Sequence, residues 1–263
     1  MKLTVLGGAA ACPNPGQGSS SYLLEIAGQR WLIDCGPDTI SQLRRHAELD
    51  TIDAILISHV HSDHTLDLLP FRYGLRYMPG LERRRIPLWL PPGGIDFLDR
   101  VANAYSMGTE AADDFFSGVF DIRQYNPDEG LTLNGVSIHF FPTNHVVPCW
   151  AMRFESDEGV LVYLADTGPQ DNLVDISRDA DIFIGEGTFL DHEDVAETTD
   201  RPHLSAYEAG VIAREAGVRH FVFTHYWASL GPDRYIKAAS EAFGGEVILA
   251  EPGTTVDLDN CTG

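Results

Sequence analysis

Long apolar runs are absent from this sequence. None of its 263 residues lie in an unbroken apolar stretch of about 18 residues, the length that a membrane-spanning helix needs. The apolar run at residues 2–6 is too short for a signal peptide and is followed at once by two glycines. These absences predict a cytoplasmic protein without a membrane partner.

Cysteine is scarce as well. The chain has 4 cysteines, and no two of them form a CxxC pair. They lie far apart, at Cys12, Cys35, Cys149 and Cys261. This scatter argues against a disulfide framework and predicts a reducing compartment.

Basic residues are few. The 18 lysines and arginines face 39 aspartates and glutamates, which gives a formal net charge of -21. A surface this negative repels phosphate backbones and argues against a large nucleic-acid footprint, although a metal could still hold a small anion. The basic grouping of Arg72, Arg76 and residues 83–85 could attract a phosphate, but a solvated face is the commoner explanation.

No linker, repeat or block of like charge divides the chain, so we expect a single domain over residues 1–263. Apolar patterns and turn residues predict strands at 2–6, 22–26, 30–34, 53–57, 86–90, 120–125, 131–133, 136–141, 150–155, 160–165, 182–185, 220–223, 246–249 and 254–258. Helical spacing predicts helices at 39–48, 65–77, 95–106, 111–119 and 204–216. The many hairpins favour a mixed α/β fold with two sheets.

Histidine, by contrast, is concentrated in one place. Directly after the apolar run 53–57, the segment HVHSDH supplies His59, His61, Asp63 and His64. Imidazole and carboxylate are the ligands of zinc and related metals, and a loop at a strand end can turn all four side chains toward one point. A polar loop with incidental histidines is a poor alternative, because three of 10 histidines fall within six residues.

Three further polar residues each follow an apolar run: His145, Asp166 and His225. Taken singly, each is more often a loop residue than a ligand. Taken with the cluster at 59–64, they predict a metal centre assembled from strand ends.

These residues and several other motifs together resemble the metallo-β-lactamase superfamily, and more specifically its ribonuclease Z-like branch. The motifs are HVHSDH at 59–64, LIDCGPDT at 32–39, LADTG at 164–168, GEGTF at 185–189, HLSA at 203–206, THYW at 224–227 and EPGTTVDL at 251–258. The resemblance spans nearly the whole chain and implies a four-layer αββα sandwich with metals at one edge between the sheets. It is far less specific for the substrate, because this fold hosts many hydrolases.

The resemblance also implies roles for individual residues. One zinc ion would be held by His59, His61 and His145, a second by Asp63, His64 and His225, with Asp166 bridging the two. A hydroxide between the metals would act as the nucleophile, so Asp63 counts as a catalytic residue as well as a ligand. Manganese or iron could replace zinc, since nitrogen and oxygen ligands do not select zinc strongly.

Two more catalytic roles follow from the resemblance. His203 would protonate the leaving oxygen, a task suited to imidazole at neutral pH, and Glu186 would orient it. The alternatives are a helix-terminal histidine without catalytic duty and a glutamate in a buried hydrogen bond. Asp34, Cys35 and Gly36 are expected to support the ligands or to form a tight turn.

The match with ribonuclease Z breaks in two places. The long arm that clamps transfer RNA is missing, because His145 and Asp166 are only 21 residues apart. Asp67 replaces a glycine that is usual after the HxHxDH motif, and it either adds negative charge near the site or caps the following helix. With the acidic composition, these departures argue against processing of transfer RNA.

Three functions remain in view at this point. The first is a dinuclear-zinc phosphodiesterase acting on a small phosphodiester. The second is a hydrolase of carboxylic or sulfuric esters at the same metals, similar to a lactonase or an arylsulfatase. The third is a non-catalytic module that binds metal or RNA. The resemblance also implies a homodimer, although no stretch of the sequence identifies an interface.

Overall fold

Two β-sheets form the centre of the computed structural model, which describes residues 1–106, 112–190 and 201–259. The first sheet contains β1 (Lys2–Ala9), β2 (Gly18–Ser19), β3 (Ser21–Ile26), β4 (Gln29–Ile33), β5 (Ala54–Leu56), β6 (Ile86–Leu90), β7 (Phe120–Gln124) and β15 (Thr255–Asp257). The second sheet contains β8 (Leu131–Leu133), β9 (Val136–Pro142), β10 (Trp150–Ser156), β11 (Gly159–Tyr163), β12 (Ile182–Glu186), β13 (His220–Thr224) and β14 (Val247–Leu249).

Each sheet has a run of parallel strands, and these runs position the site. In the first sheet the order is β15-β1-β3-β4-β5-β6-β7, with β2 beside β1, and β4 to β7 run parallel. In the second the order is β14-β13-β12-β11-β10-β9-β8, and β11 to β14 run parallel. Parallel neighbours end at the same edge of a sheet, so polar residues that follow them come close together.

Helices cover the outer face of each sheet. The first is covered by α1 (Thr39–Leu43), α3 (Leu68–Tyr77), α4 (Gly94–Ser106) and α5 (Ala112–Phe115), and α2 (Ser62–Thr65) lies at its edge. The second is covered by α6 (Leu173–Ser177), α7 (Ala206–Ala216) and α8 (Pro232–Phe243). Along β4 the side chains alternate, with Trp31 and Ile33 between the sheets and Leu32 facing the helices. The order helices, sheet, sheet, helices confirms the predicted four-layer sandwich.

Several predicted helices differ from those observed. The helix predicted at 39–48 ends at Leu43, and the helix predicted at 65–77 begins at Leu68, because Thr65 ends the separate helix α2. Of the helix predicted at 111–119, residue 111 lies outside the described ranges, as does Cys261, and α5 covers Ala112–Phe115. No described helix is both long enough and apolar enough to cross a bilayer.

Among the described helices, the sequence patterns predicted neither α6 nor α8. The five-residue helix α6 is too short to show a helical period. Helix α8 buries Tyr235, Ala239 and Ala242, and two small alanines give a weak apolar stripe. Its ends carried the better signal, a proline at the first helical position and Gly244 in the left-handed conformation at the C-terminus.

Candidate metal centre

All seven predicted ligands lie at one edge of the sandwich. His59 and His61 follow β5, and Asp63 and His64 lie in α2. His145, Asp166 and His225 follow β9, β11 and β13 of the other sheet. The centre therefore spans the gap between the sheets at their strand ends.

Four side chains form the first group: His59, His61, His145 and Asp166. His61 Nδ1 lies 3.1 Å from both His59 Nε2 and His145 Nε2. Asp166 Oδ2 lies 3.7 Å from each of those Nε2 atoms. All four ligand atoms fit within 4.8 Å of one another, which is the spacing of atoms around one metal ion.

A second group contains Asp63, His64, Asp166 and His225. His225 Nε2 lies 3.3 Å from both Asp63 Oδ2 and Asp166 Oδ2. His64 Nε2 lies 3.3 Å from Asp166 Oδ1 and 3.5 Å from Asp63 Oδ2. Asp166 thus belongs to both groups, with one carboxylate oxygen turned to His64 and the other to His59, His145 and His225.

Hydrogen bonds on the outer side fix how three imidazoles face the centre. His64 Nδ1 donates to Asp34 Oδ2 at 2.7 Å, and His145 Nδ1 donates to the Pro202 carbonyl at 3.1 Å. His225 Nδ1 lies 2.7 Å from the Thr188 hydroxyl. Carboxylate and carbonyl oxygens can only accept, so the proton of His145 lies on Nδ1 and Nε2 of its neutral ring presents a lone pair inward.

Several inward atoms are poorly paired or have no hydrogen-bond partner. His61 Nδ1 can donate its proton to only one of the two nitrogens that lie 3.1 Å away, His59 Nε2 and His145 Nε2. At the other contact two nitrogen lone pairs face each other. Among the described residues, His64 Nε2 and Asp166 Oδ1 are buried without a hydrogen-bond partner. Unpaired buried polar atoms are costly, and divalent cations would satisfy them. Five imidazoles and two carboxylates therefore fit two zinc-like ions.

Protonation suits metal binding at three imidazoles and at Asp166, but not at His64. Burial lowers the pKa of His59 well below its ordinary value, and it also lowers the pKa values of His61 and His145. Burial opposes ionisation of Asp166, but the neighbouring His225 and His64 outweigh it and hold the pKa of Asp166 well below its usual range. Neutral imidazoles and ionised carboxylates are the forms that coordinate metals. Burial lowers the pKa of His64, but the charges and hydrogen bonds of Asp166 and Asp34 outweigh it and raise the pKa well above its ordinary value, so a metal ion would have to displace that proton.

Asp34 is the main support of the cluster. It is fully buried, and its carboxylate accepts hydrogen bonds from the Ser58 amide and hydroxyl, the Tyr163 hydroxyl and His64 Nδ1 at 2.7–2.8 Å. The sequence predicted a supporting or turn residue here, and Asp34 is both, because its φ is 56°. Ala165 and His225 also have φ near 55°, so the chain is held in an unfavourable conformation at three points beside the centre.

Two glycines allow close packing around the ligands. A Cβ at Gly36 would lie 2.0 Å from the Asp63 carbonyl oxygen, and one at Gly168 would lie 1.6 Å from that of Arg201. Any side chain at either position would push the ligand-bearing segments apart. This explains glycine in the CGP and DTG motifs.

His203 lies next to the two metal groups. Its Nδ1 is 2.8 Å from Glu186 Oε1, and its ring centroid lies 5.1 Å from those of both His145 and His225. Burial lowers the pKa of His203, but the charge and hydrogen bond of Glu186 outweigh it and raise the pKa to about 9. The predicted pairing of His203 with Glu186 is therefore present in the fold.

Glu186 is held in turn by a small network. It is 1% exposed and accepts the amide hydrogens of Thr167 and Thr188, each at 3.0 Å. The Thr188 hydroxyl donates to Glu186 Oε2 at 3.1 Å and lies against His225 Nδ1. Sequence analysis missed Thr188, although it stands two residues after Glu186 in GEGTF.

Asp67 does not cap the helix that follows it, one of the two alternatives predicted from the sequence. Its carboxylate accepts the amide hydrogen of Ile40 at 2.9 Å, at the start of α1, and no side-chain hydrogen bond caps α3. Burial raises the pKa of Asp67 to about 6. Asp67 therefore ties α1 to the ligand segment.

Comparisons with known proteins agree with this architecture. A family model described as a β-lactamase superfamily domain matches residues 29–226. The probable metallo-hydrolase YhfI of Bacillus subtilis is 31% identical over 96% of this chain and 98% of its own length. The crystal structure of YhfI superposes with a TM-score of 0.84 at 29% identity and covers 97% of this chain and 98% of its own.

Enzymes that bear the name ribonuclease Z are also similar. The ribonuclease Z of Haloferax volcanii is 26% identical over 98% of this chain and 95% of its own length. The crystal structure of the short form of human tRNase Z superposes with a TM-score of 0.74 at 22% identity, with 98% of this chain and 99% of that one covered. At that identity the likeness extends to the fold alone.

Proposed function

The chain belongs to the β-lactamase superfamily, and from that premise we propose that it is a metal-dependent hydrolase of small phosphodiesters. The observation that carries the proposal is the convergence of five imidazoles and two carboxylates beside a histidine held by a buried glutamate. We also propose that the chain acts as one domain in the cytoplasm.

Each side chain has a defined task in this proposal. His59, His61 and His145 would hold one divalent ion, Asp63, His64 and His225 a second, and Asp166 would contact both. When bound, the ions would supply positive charge at the developing anion and would acidify water. Zinc suits the donor set best, and manganese or iron also suits it.

His203 would protonate the leaving oxygen through Nε2. Its Nδ1 is engaged by Glu186, so the other ring nitrogen is free to serve the substrate. The raised pKa keeps the ring protonated at neutral pH, and Glu186 stabilises that cation. An alkoxide leaving group needs this proton far more than a nitrophenolate does.

Transfer RNA is a poor fit as substrate. Between His145 and Asp166 the chain forms only the β10–β11 hairpin, whose strands pair from Met152–Tyr163 to Ser156–Gly159. This segment is too short to contain the inserted arm that clamps transfer RNA, as the sequence predicted. The net charge of -21 also opposes a long polyanion.

A substrate panel tests the proposal. Purified protein loaded with Zn²⁺ or Mn²⁺ is given bis(p-nitrophenyl) phosphate, a phosphodiester with an alkoxide leaving group, a lactone and an aryl sulfate. We expect turnover of both phosphodiesters. Metal-loaded protein that cleaves only the lactone or the sulfate would assign the site to another ester class, and a protein that cleaves nothing would favour a binding module.

The variant His203→Ala tests the proposed protonation of the leaving group. We expect it to lower kcat for the alkoxide substrate by about 10²–10⁴-fold, the usual contribution of general acid catalysis, and to lower it much less for bis(p-nitrophenyl) phosphate. His139→Ala is the matched control, because His139 is 51% exposed in β9 and lies outside the centre. Equal losses on both substrates would contradict a role in leaving-group protonation.

A further inference from the structure

A small apolar cavity lies against the ligand loop. Its volume is about 260 Å³, and α4 forms the wall opposite the loop. The side chains that line it include Val60, Ser62, Leu66, Leu69, Val101 and Tyr105. None of its lining residues among those described is charged, in a chain whose net charge is -21.

The cavity and the metal centre share a wall. Val60 and Ser62 line the cavity and are sequence neighbours of the proposed ligands His59, His61 and Asp63. Leu66 follows two residues after His64. The Thr65 hydroxyl donates to the His61 carbonyl at 2.8 Å, and this hydrogen bond holds the backbone of the shared segment in place. A group seated in the cavity and a substrate at the metals would therefore contact the same segment of the chain.

Apolar surface at the rim is left in contact with water. Leu66 and Tyr105 are each 49% exposed, although both are large apolar side chains beside a concave site. Covering such surface is favourable by about 25 cal/mol per Å². A volume near 260 Å³ suits one ring and excludes a peptide helix.

We propose that this cavity is a subsite for an uncharged aromatic ring carried by the substrate. The inference rests on the proposed phosphodiesterase function and narrows it to diesters whose retained ester group, the one that does not leave, is an aryl group. The apolar lining favours an aryl group over a nucleobase, because a nucleobase would bury several polar atoms against it. A second copy of the chain is the competing occupant, and the experiment below separates the two.

Two substrates with the same leaving group isolate the subsite: bis(p-nitrophenyl) phosphate and methyl p-nitrophenyl phosphate. For the wild type we expect the KM of the diaryl substrate to be about tenfold lower, since about 1.4 kcal/mol of apolar burial corresponds to that factor. A thymidine p-nitrophenyl diester should bind no better than the methyl compound. Equal KM values for the aryl and methyl substrates would overturn the proposal.

Val101→Phe fills the cavity from α4. We expect it to abolish the tenfold KM preference for the aryl substrate. Ile95→Phe is the control on the same helix, because Ile95 is 37% exposed and does not line the cavity. If Val101→Phe unfolds, Leu66→Asn removes apolar wall instead and should weaken the same preference. A preference that survives in a folded cavity variant would refute the subsite.

Binding of the ring itself is measured without turnover. Saturation-transfer NMR with p-nitroanisole, an uncharged p-nitrophenyl ether, on chelator-treated protein should show ring contacts in the wild type and in Ile95→Phe, and should lose them in Val101→Phe. If the wild type cleaves no phosphodiester, the proposed function fails while this measurement still decides the subsite. No ring binding, together with a dimer that Val101→Phe dissociates in light scattering, would make the cavity an interface and overturn the proposal.

Discussion

Glu186→Gln should change how the stability of the metal-free protein depends on pH. In the wild type the Glu186 carboxylate lies 2.8 Å from His203 Nδ1 and raises the pKa of His203 to about 9. Glutamine keeps the size and an acceptor oxygen but removes the negative charge. Burial, which lowers the pKa of His203, is then opposed only by the charges of Asp166 and Asp63. We expect the pKa of His203 to fall from about 9 toward its ordinary value of 6.5.

Linkage fixes the sign and size of the effect. A histidine whose pKa is raised on folding stabilises the native state fully below the unfolded pKa, and this stabilisation is lost as pH rises through the folded pKa. For His203 the window runs from 6.5 to about 9. One pKa unit corresponds to about 1.36 kcal/mol, so the window amounts to about 3 kcal/mol. The side chain is only 19% exposed, so solvent screening removes little of it.

Urea unfolding at pH 6 and at pH 9.5, in chelator, measures the effect. We expect Glu186→Gln to be less stable than the wild type at pH 6. The difference in free energy of unfolding between the two proteins should be about 3 kcal/mol larger at pH 6 than at pH 9.5. Other titrating groups are common to both proteins and cancel. In the His203→Gln background the same comparison should show no pH dependence. A gap between wild type and Glu186→Gln that is constant with pH would refute the reasoning.

Three further predictions concern the surroundings of the site. Thr188→Val removes the partner of His225 Nδ1 and should weaken zinc binding by about 10–100-fold in a chelator competition, whereas Thr188→Ser should bind as the wild type does. The pKa of Asp67 is raised from 3.8 to about 6, so its ionisation destabilises the folded state as pH rises through that window. In urea unfolding, Asp67→Asn should be about 1–2 kcal/mol more stable than the wild type at pH 7.5 and no more stable at pH 4. Zinc at 1,000 times the Kd of the wild type should raise the free energy of unfolding of the wild type by about 4 kcal/mol in calorimetry, and chelator should reverse the gain. An equal gain in Asp166→Asn at the same zinc concentration would contradict the ligand assignment.

Local pattern was enough to predict most of the strands. The bounds of β6 and β8 match the apolar runs 86–90 and 131–133, because each strand is limited by proline, glycine or asparagine that cannot continue it. The histidine cluster was predictable for the same reason, since it directly follows a buried strand. Three histidines and a carboxylate within six residues indicate a metal site there, whereas a single polar residue at a strand end does not.

Contacts between distant segments were not predictable from local pattern. Asp67 accepts the amide hydrogen of Ile40, 27 residues away, and sequence spacing pointed only to the helix beside it. The Pro202 carbonyl that orients His145 lies 57 residues away and is a backbone atom, so no side-chain pattern encodes it. The positions of Asp166 and His225 after apolar runs predicted that they join the cluster, but their assignment to particular metal ions came from the resemblance, because apolar runs alone do not fix the order of strands in a sheet.

Glu186 links the two halves of the site, and this decides how its variants must be interpreted. It holds His203 directly, and it holds His225 through the Thr188 hydroxyl. A loss of activity in Glu186→Gln would therefore combine weaker metal binding with a changed proton donor. Thr188→Val cuts the branch to His225 and one hydrogen bond to Glu186, but it leaves the two backbone amides that hold the Glu186 carboxylate. If it weakens metal binding while the pKa of His203 stays near 9, the two branches act separately and proton donation by His203 can be assessed on its own.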